Sequence, residues 1–472
     1  MFDPVIAPSG TLLGLLQRGR GDGTLHALTA PRAEALAALN HCVLNDPRHD
    51  WQVENRSLYY ARLFLDLRGE LDEIERHLFA ADDVLETDES RTGLSLAVLG
   101  HLASYGRRDA LALLRRYAAC GTNWAWALDE LALRDDDAGL RALALPVLAR
   151  FPSTPEGDAE LATAVRDAFE PRPWRLWADD PREAIAARVR AAGEKGSFDR
   201  WQRQLTSTGP RPGWSVQAVF DWAQQGIERG SMLHVPAARC LTAVAGPDDR
   251  PAIIEAARSG NDGARCTALR YLASAQDPAV LDLIEAAVDS PSRLVVDAAV
   301  DAFERMRSVA AVERARRWAG RPDILGAAAG RMLACRGGME DGHLVIGALR
   351  EAVRGDGPDA ATLGTLIDGT GRLGIVCAAP VLRHIYRETA SSHLRGRAAR
   401  ALAVTDPSFA AGFAVECLWD CEESTRELAA RHAATGDARV VDQLRRLASD
   451  PAEEAEVQTA VRSRIGPDTP AV

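Results

Sequence analysis

Lysine is almost missing from this chain: of 56 basic residues, only Lys195 is one. Arginine carries the rest of the positive charge, which reads as the compositional habit of a genome rich in G and C rather than as an arginine-specific function. Cys-x-x-Cys pairs are missing too. The eight cysteines, at 42, 120, 240, 266, 335, 377, 417 and 421, are mostly far apart, which excludes a zinc framework and a disulfide scaffold and fits reduced thiols in a cytoplasmic setting. No run of about eighteen apolar residues occurs uninterrupted, so no membrane-spanning helix is expected. Residues 1–30 lack a charged start and a long apolar run, having only Leu pairs at 12–13 and 15–16, so no export signal is expected. A Gly-rich phosphate loop, a Gly-x-Ser-x-Gly elbow and His-Glu metal pairs are also lacking. The acidic runs at 82–89 and 135–137 do not have calcium-loop spacing. No metal and no cofactor is expected.

Other quantities bound the class. With 47% hydrophobic and 26% charged residues, the chain can fill a packed interior and is not disordered in bulk. A formal charge of −11 disfavours a general polyanion-binding role, which needs local cation excess.

What is present is a repeat. Gly263–Ser290 reads GARCTALRYLASAQDPAVLDLIEAAVDS and Thr425–Asp450 reads TRELAARHAATGDARVVDQLRRLASD. Each copy is an Ala-rich helix, an Asp-containing turn and a second apolar helix. In the first copy, Ala264, Ala268, Leu269 and Leu272 form one stripe at helical spacing, and Val280, Leu281, Ile284, Ala287 and Val288 form another. Neither stripe can be buried alone, so neighbouring units must shelter one another. Asp277-Pro278 and Asp406-Pro407 supply a capping carboxylate and a proline for the first helical position. Turns recur near 248, 277, 308, 341, 374, 406 and 437, at intervals of about 29 to 33 residues. In GDARVV, SAQDPAVLDLIEAAVD and VTDPSFAAG the pattern resembles the short HEAT-like repeats of phycobilisome-lyase-type proteins, best over 231–450 and less well over 90–150. That resemblance implies an all-α fold, an α-α superhelical solenoid of helical hairpins, and says nothing about catalysis.

The chain is therefore expected to divide into an N-terminal tail (1–30), a HEAT-like segment (31–170), an irregular Trp/Arg/Pro-rich junction (171–230), a second HEAT-like segment (231–455) and a C-terminal end with a flexible tail (456–472). Seven of the ten tryptophans fall between 124 and 222, a density the repeat does not require. They either plug the junction where regular stacking fails or form an aromatic groove for a partner. From Arg172 to Arg203, eight basic residues meet five acidic ones, with Trp174, Trp177 and Trp201 interleaved, a composition that could track a nucleic-acid strand or simply form a solvated helix face. The polar stretch 46–56 ahead of Tyr59-Tyr60 could present a recognition loop, or Trp51 could seal the end of the array.

Candidate binding residues are Trp51, Tyr59, Trp124, Trp126, Trp174, Arg175, Trp177, Trp201 and Arg203. The expected function is a non-enzymatic cytoplasmic scaffold that holds a protein partner on its concave surface and at the Trp-rich junction. Thr122–Ala132, TNWAWALDELA, resembles the Trp-and-Asp helix of HEAT-like alkylpurine DNA glycosylases. This resemblance implies Asp129 as the carboxylate that stabilises a cationic sugar and Trp124 or Trp126 as the stacking wall. A third possibility, implied by the repeat resemblance, is a small-molecule or chromophore-handling lyase-type protein.

Overall fold

Short polar residues stand ahead of the Ala-rich runs, and there the helices begin. The computed structural model describes residues 6–48, 52–81, 83, 90–205 and 213–465, with the side chains of 90 and 196–205 outside that description. Among these residues the secondary structure is all helical, α-helices with four short 3-10 turns. Thr11, Asp136, Thr154, Ser215, Asn261, Ser308 and Asp323 each accept the amide three residues on. Each bond satisfies one of the donors that a helix start leaves unpaired.

The Asp-Pro turns work differently from the expected cap. Asp277 accepts the Ala279 amide at 3.0 Å, but the helix starts at Val280, so Pro278 lies ahead of it. After Asp406-Pro407 a 3-10 turn, Phe409–Ala411, precedes the helix Phe413–Cys417. In both turns an arginine from earlier in the chain also holds the carboxylate: Arg250 donates to Asp277 at 2.6 Å and Arg383 to Asp406 at 2.7 Å. Other arginines close helix C-termini. Arg372 donates to the carbonyls of Ala334 and Gly337 at 3.0 and 2.9 Å, and Arg172 to those of Ala132 and Asp135 at 2.7 and 3.0 Å. These bonds fill acceptors the helix cannot satisfy itself, at its negative end.

The chain forms two compact units. One comprises Thr208–Tyr386 and Arg397–Pro407. In it the helices Asp262–Ser274, Arg293–Arg305, Ile324–Arg336 and Leu363–Arg372 pack each against the next, flanked by Arg250–Ser259, Val280–Ala287, Val309–Trp318 and Gly342–Asp356. Both predicted stripes of the first repeat are buried, except Val288, which is half-buried. Small residues let backbones approach: a Cβ on Gly369 would lie 2.4 Å from that of Ala334.

The other unit comprises Met1–Ser207, Arg387–Gly396 and Ser408–Val472, and so draws on both ends of the chain. The stretch 1–30, expected as a tail, contributes the helices Leu12–Gln17 and Gly21–Thr29. Leu12, Leu15 and Leu16, too short a run for a signal, are core residues. Gly21 approaches the helix Phe413–Cys417 so closely that a Cβ there would meet the Glu416 carbonyl oxygen at 1.8 Å. Residues 387–396 and 408–465 are tied to the N-terminal helices by charge. Arg62 pairs with Asp450 at 2.7 Å and Glu453 at 3.1 Å, and the Tyr105 hydroxyl donates to Asp450 at 2.8 Å. Arg426 grips Glu453 with bonds of 2.9 and 2.7 Å. Burial pushes the Glu453 carboxyl up, but the Arg426 hydrogen bonds and the charges of Arg426 and Arg62 hold it below its ordinary value.

The stretch 171–230, expected to be irregular, is helical over Arg172–Ala178, Glu183–Leu205 and Val216–Glu228. Pro173 sits in the first turn of its helix, where a missing N–H costs nothing. At the C-terminal end, the helix Ala455–Ile465 packs on Glu423–His432, and 466–472 lie outside the described residues.

Candidate functional site

The helix Trp124–Arg134 buries Ala127, Leu128, Leu131 and Ala132. That face fixes the others: Trp124 and Asp129 lie half-buried along one border, and Trp126 and Glu130 along another. Glu130 is packed against Gly100, pairs with Arg134 at 2.7 Å and accepts a hydrogen bond from Trp126. Burial still pushes it up to about 7. Trp126 is thus occupied on the Glu130 side.

On the Asp129 side two later helices, Pro155–Asp167 and Arg172–Ala178, complete a cleft. Its walls are Trp124, Leu128, Asp129, Asp167, Phe169 and Trp174, with small alanines between them, and it encloses about 190 Å³. The size suits one side chain or one small planar group. Four aromatic rings continue from the wall into the core. Trp177, with no solvent exposure, donates its indole N–H to the Leu140 carbonyl at 2.8 Å. It packs edge-on against Trp174 at 4.9 Å, Trp174 against Trp124 at 6.3 Å, and Trp124 against Phe151 at 5.7 Å. Such edge-to-face contacts fix ring orientation more tightly than apolar packing alone. Phe169 is the exception, 82% exposed in the segment that joins the two helices.

Asp129 accepts one backbone N–H, from Glu170 at 3.1 Å. Burial raises its pKa, the Glu170 amide lowers it and the Glu170 charge raises it again, leaving the group at about 6. Among the described residues it has no basic partner. The cleft is therefore an aromatic notch with one desolvated, uncompensated carboxylate.

The structure brings Trp124, Asp129 and Trp174 of the sequence candidates together in this notch. Trp177 stands behind it in the core, and Arg175 is exposed outside it. Tyr59 lies elsewhere, buried with its hydroxyl donating to the Arg20 carbonyl at 2.8 Å, a structural tie in the N-terminal helices. Trp51 and the side chains of Trp201 and Arg203 lie outside the described residues. Trp214 and Trp222 pair with each other at 5.7 Å in the other compact unit. Phe169 and Asp167 were missed by sequence reasoning. The available signal was a phenylalanine set between a helix end and Pro171.

Among the described residues no group of three or more His, Cys, Asp or Glu is placed to hold a metal ion, and no helix is long and apolar enough to cross a membrane. The chain matches no protein-family model and no curated protein sequence.

Proposed function

We propose that this protein is a non-enzymatic interaction scaffold, built of HEAT-like helical hairpins, that holds a protein partner at the Trp124–Phe169–Trp174 cleft. Phe169 carries the reading. A large ring that is 82% exposed, at the mouth of a notch whose other rings are locked in place, has the form of a binding anchor rather than of a core residue. The repeat architecture supports it through the ordered packing of four alternate helices and the turn spacing of the sequence. A photo-crosslinking phenylalanine analogue at 169 should give one discrete adduct in native extract. The same analogue at Val309, an apolar residue 74% exposed in the other compact unit, should give none. Equal adducts from both positions, or none from either, overturn the reading.

A second reading is favoured by one observation. The cleft joins Asp129 to Trp124 and Trp174, the residue types that the DNA-glycosylase resemblance requires. On that reading the full-length protein releases alkylated purines from duplex DNA, and Asp129→Asn abolishes release. Absence of release by the unaltered chain removes it.

A further inference from the structure

Carboxylates at the turns of this protein are characteristically gripped by arginine: Arg250 holds Asp277, Arg316 holds Asp341 and Arg395 holds Asp420. Asp129, in the middle of the helix Trp124–Arg134, has no such grip, with a single amide for company and no cation from its own chain among the described residues. The charged groups around it are accounted for on every packed element. Asp167, from the helix Pro155–Asp167, also lines the notch and is paired with Arg166 at 2.6 Å. Glu170, from the connecting segment, adds a second negative charge beside Asp129. On the helix of Trp174, Arg172 is committed to the Ala132 carbonyl and to Asp137. Arg150 lies over the Trp124 ring at 5.6 Å and donates to the Gly121 carbonyl at 2.8 Å. The notch thus presents ring surface and one carboxylate, Asp129, that no cation among the described residues meets.

Building on the protein-binding reading above, we infer that the notch receives one cationic side chain, arginine or lysine, from the partner protein. Asp129 pairs with the cation, and the rings of Trp124 and Phe169 pack against it. Aromatic rings attract a cation through their quadrupole, and a desolvated carboxylate gains more from an ionic hydrogen bond than an exposed one does. With the free carboxyl at about 6, binding has to expel the Asp129 proton in mildly acidic solution. A nucleic-acid strand is the poorer occupant, since the lining acids repel phosphate and the chain carries −11 overall.

The test uses the full chain and two short peptides, acetyl-Ala-Arg-Ala-amide and its citrulline counterpart, titrated by calorimetry in buffers of different ionisation enthalpy. At pH 7.5 the arginine peptide should bind about tenfold more tightly than the citrulline one. Between pH 7.5 and 5 its affinity should fall about tenfold, with about half a proton released on binding at pH 6 and nearly one at pH 5. Asp129→Asn should erase the preference, whereas Asp158→Asn, at an exposed acid of the helix Pro155–Asp167 outside the notch, should keep it within about twofold. Equal affinity for the two peptides, a flat pH profile or an unaltered preference in Asp129→Asn overturns the inference. If the Phe169 crosslink forms as well in Asp129→Asn as in the unaltered chain, the cation is wrong and the docking site survives. If it forms in neither, the docking site itself has failed. Salt-sensitive retention of duplex DNA in place of peptide binding overturns the inference in favour of the glycosylase reading.

Discussion

Arg395 reaches Asp420 with two nitrogens, at 2.7 and 2.9 Å, and neither side chain touches solvent. An ammonium cannot make that planar double contact. Asp420→Ala strands a guanidinium in the interior, so urea unfolding should show a loss of about 3–5 kcal/mol. Replacing both partners by apolar residues of similar size should cost far less. These roles were illegible in the sequence: the paired residues lie 25 apart for Arg395 and Asp420 and up to 40 apart for the helix-end contacts. Composition alone made the arginines look like background. Asp129 behaves in the opposite sense. Its folded pKa is raised to about 6 from an ordinary 3.8, so the folded state is penalised above pH 6 and the penalty fades as pH falls towards 3.8. Asp129→Asn should therefore stabilise the chain at pH 7.5 by about 1 kcal/mol, after allowance for its partial solvation. The gain should shrink at pH 4.5, and unfolding curves at the two pH values check the sign. Trp124 and Trp174 stood out in the sequence through the density of tryptophan between 124 and 222, and Asp129 through the resemblance of Thr122–Ala132 to a glycosylase helix. Phe169 did not, because its exposure is set by the path of a four-residue connection.

At the level of elements, apolar stripes and turn carboxylates announced the helix pairs between 250 and 372, and those helices pack in sequence order. Reading failed where an element is short and its partner distant. Leu12–Gln17 has only six residues, and its neighbour Gly21–Thr29 is rich in glycine, so local preference speaks against both. They persist through tertiary packing, with Leu16 fully buried and Gly21 against the backbone at Glu416. Gly21→Ala places a carbon where that carbonyl oxygen stands, and the helix cannot move without losing the Cys421 amide bond to Gly19 at 2.9 Å. A loss of about 2–3 kcal/mol is expected, together with faster amide exchange in residues 12–29. A melting temperature equal to that of the unaltered chain would show that the approach is looser than described. The prolines at 171 and 173 misled in the same local way. Locally a proline interrupts a helix, yet here the two open the helix that carries Trp174 and Trp177.

On the scale of the whole molecule, one compact unit closes on residues from both ends of the chain, and the other is made from the middle. A chain ending at Pro407 should leave the N-terminal helices without the Arg62 contacts to Asp450 and Glu453 and without Asp420 for Arg395. Hydrogen exchange should then show residues 12–66 losing protection while 250–372 keep theirs. Equal protection in both regions would mean that the N-terminal helices stand without their distant partners. That closure could not be read from a repeat pattern, in which each unit is expected to meet only the next.

The same arrangement bears on biogenesis. Arg62 waits for an acid 388 positions downstream. At a ribosomal pace of about 5–20 residues per second, its helix emerges roughly 20–80 s before the chain that completes its packing. Over that interval the nascent N-terminal region is an unfinished body with uncovered leucines and unmatched arginines, the form in which a newborn polypeptide most needs a chaperone.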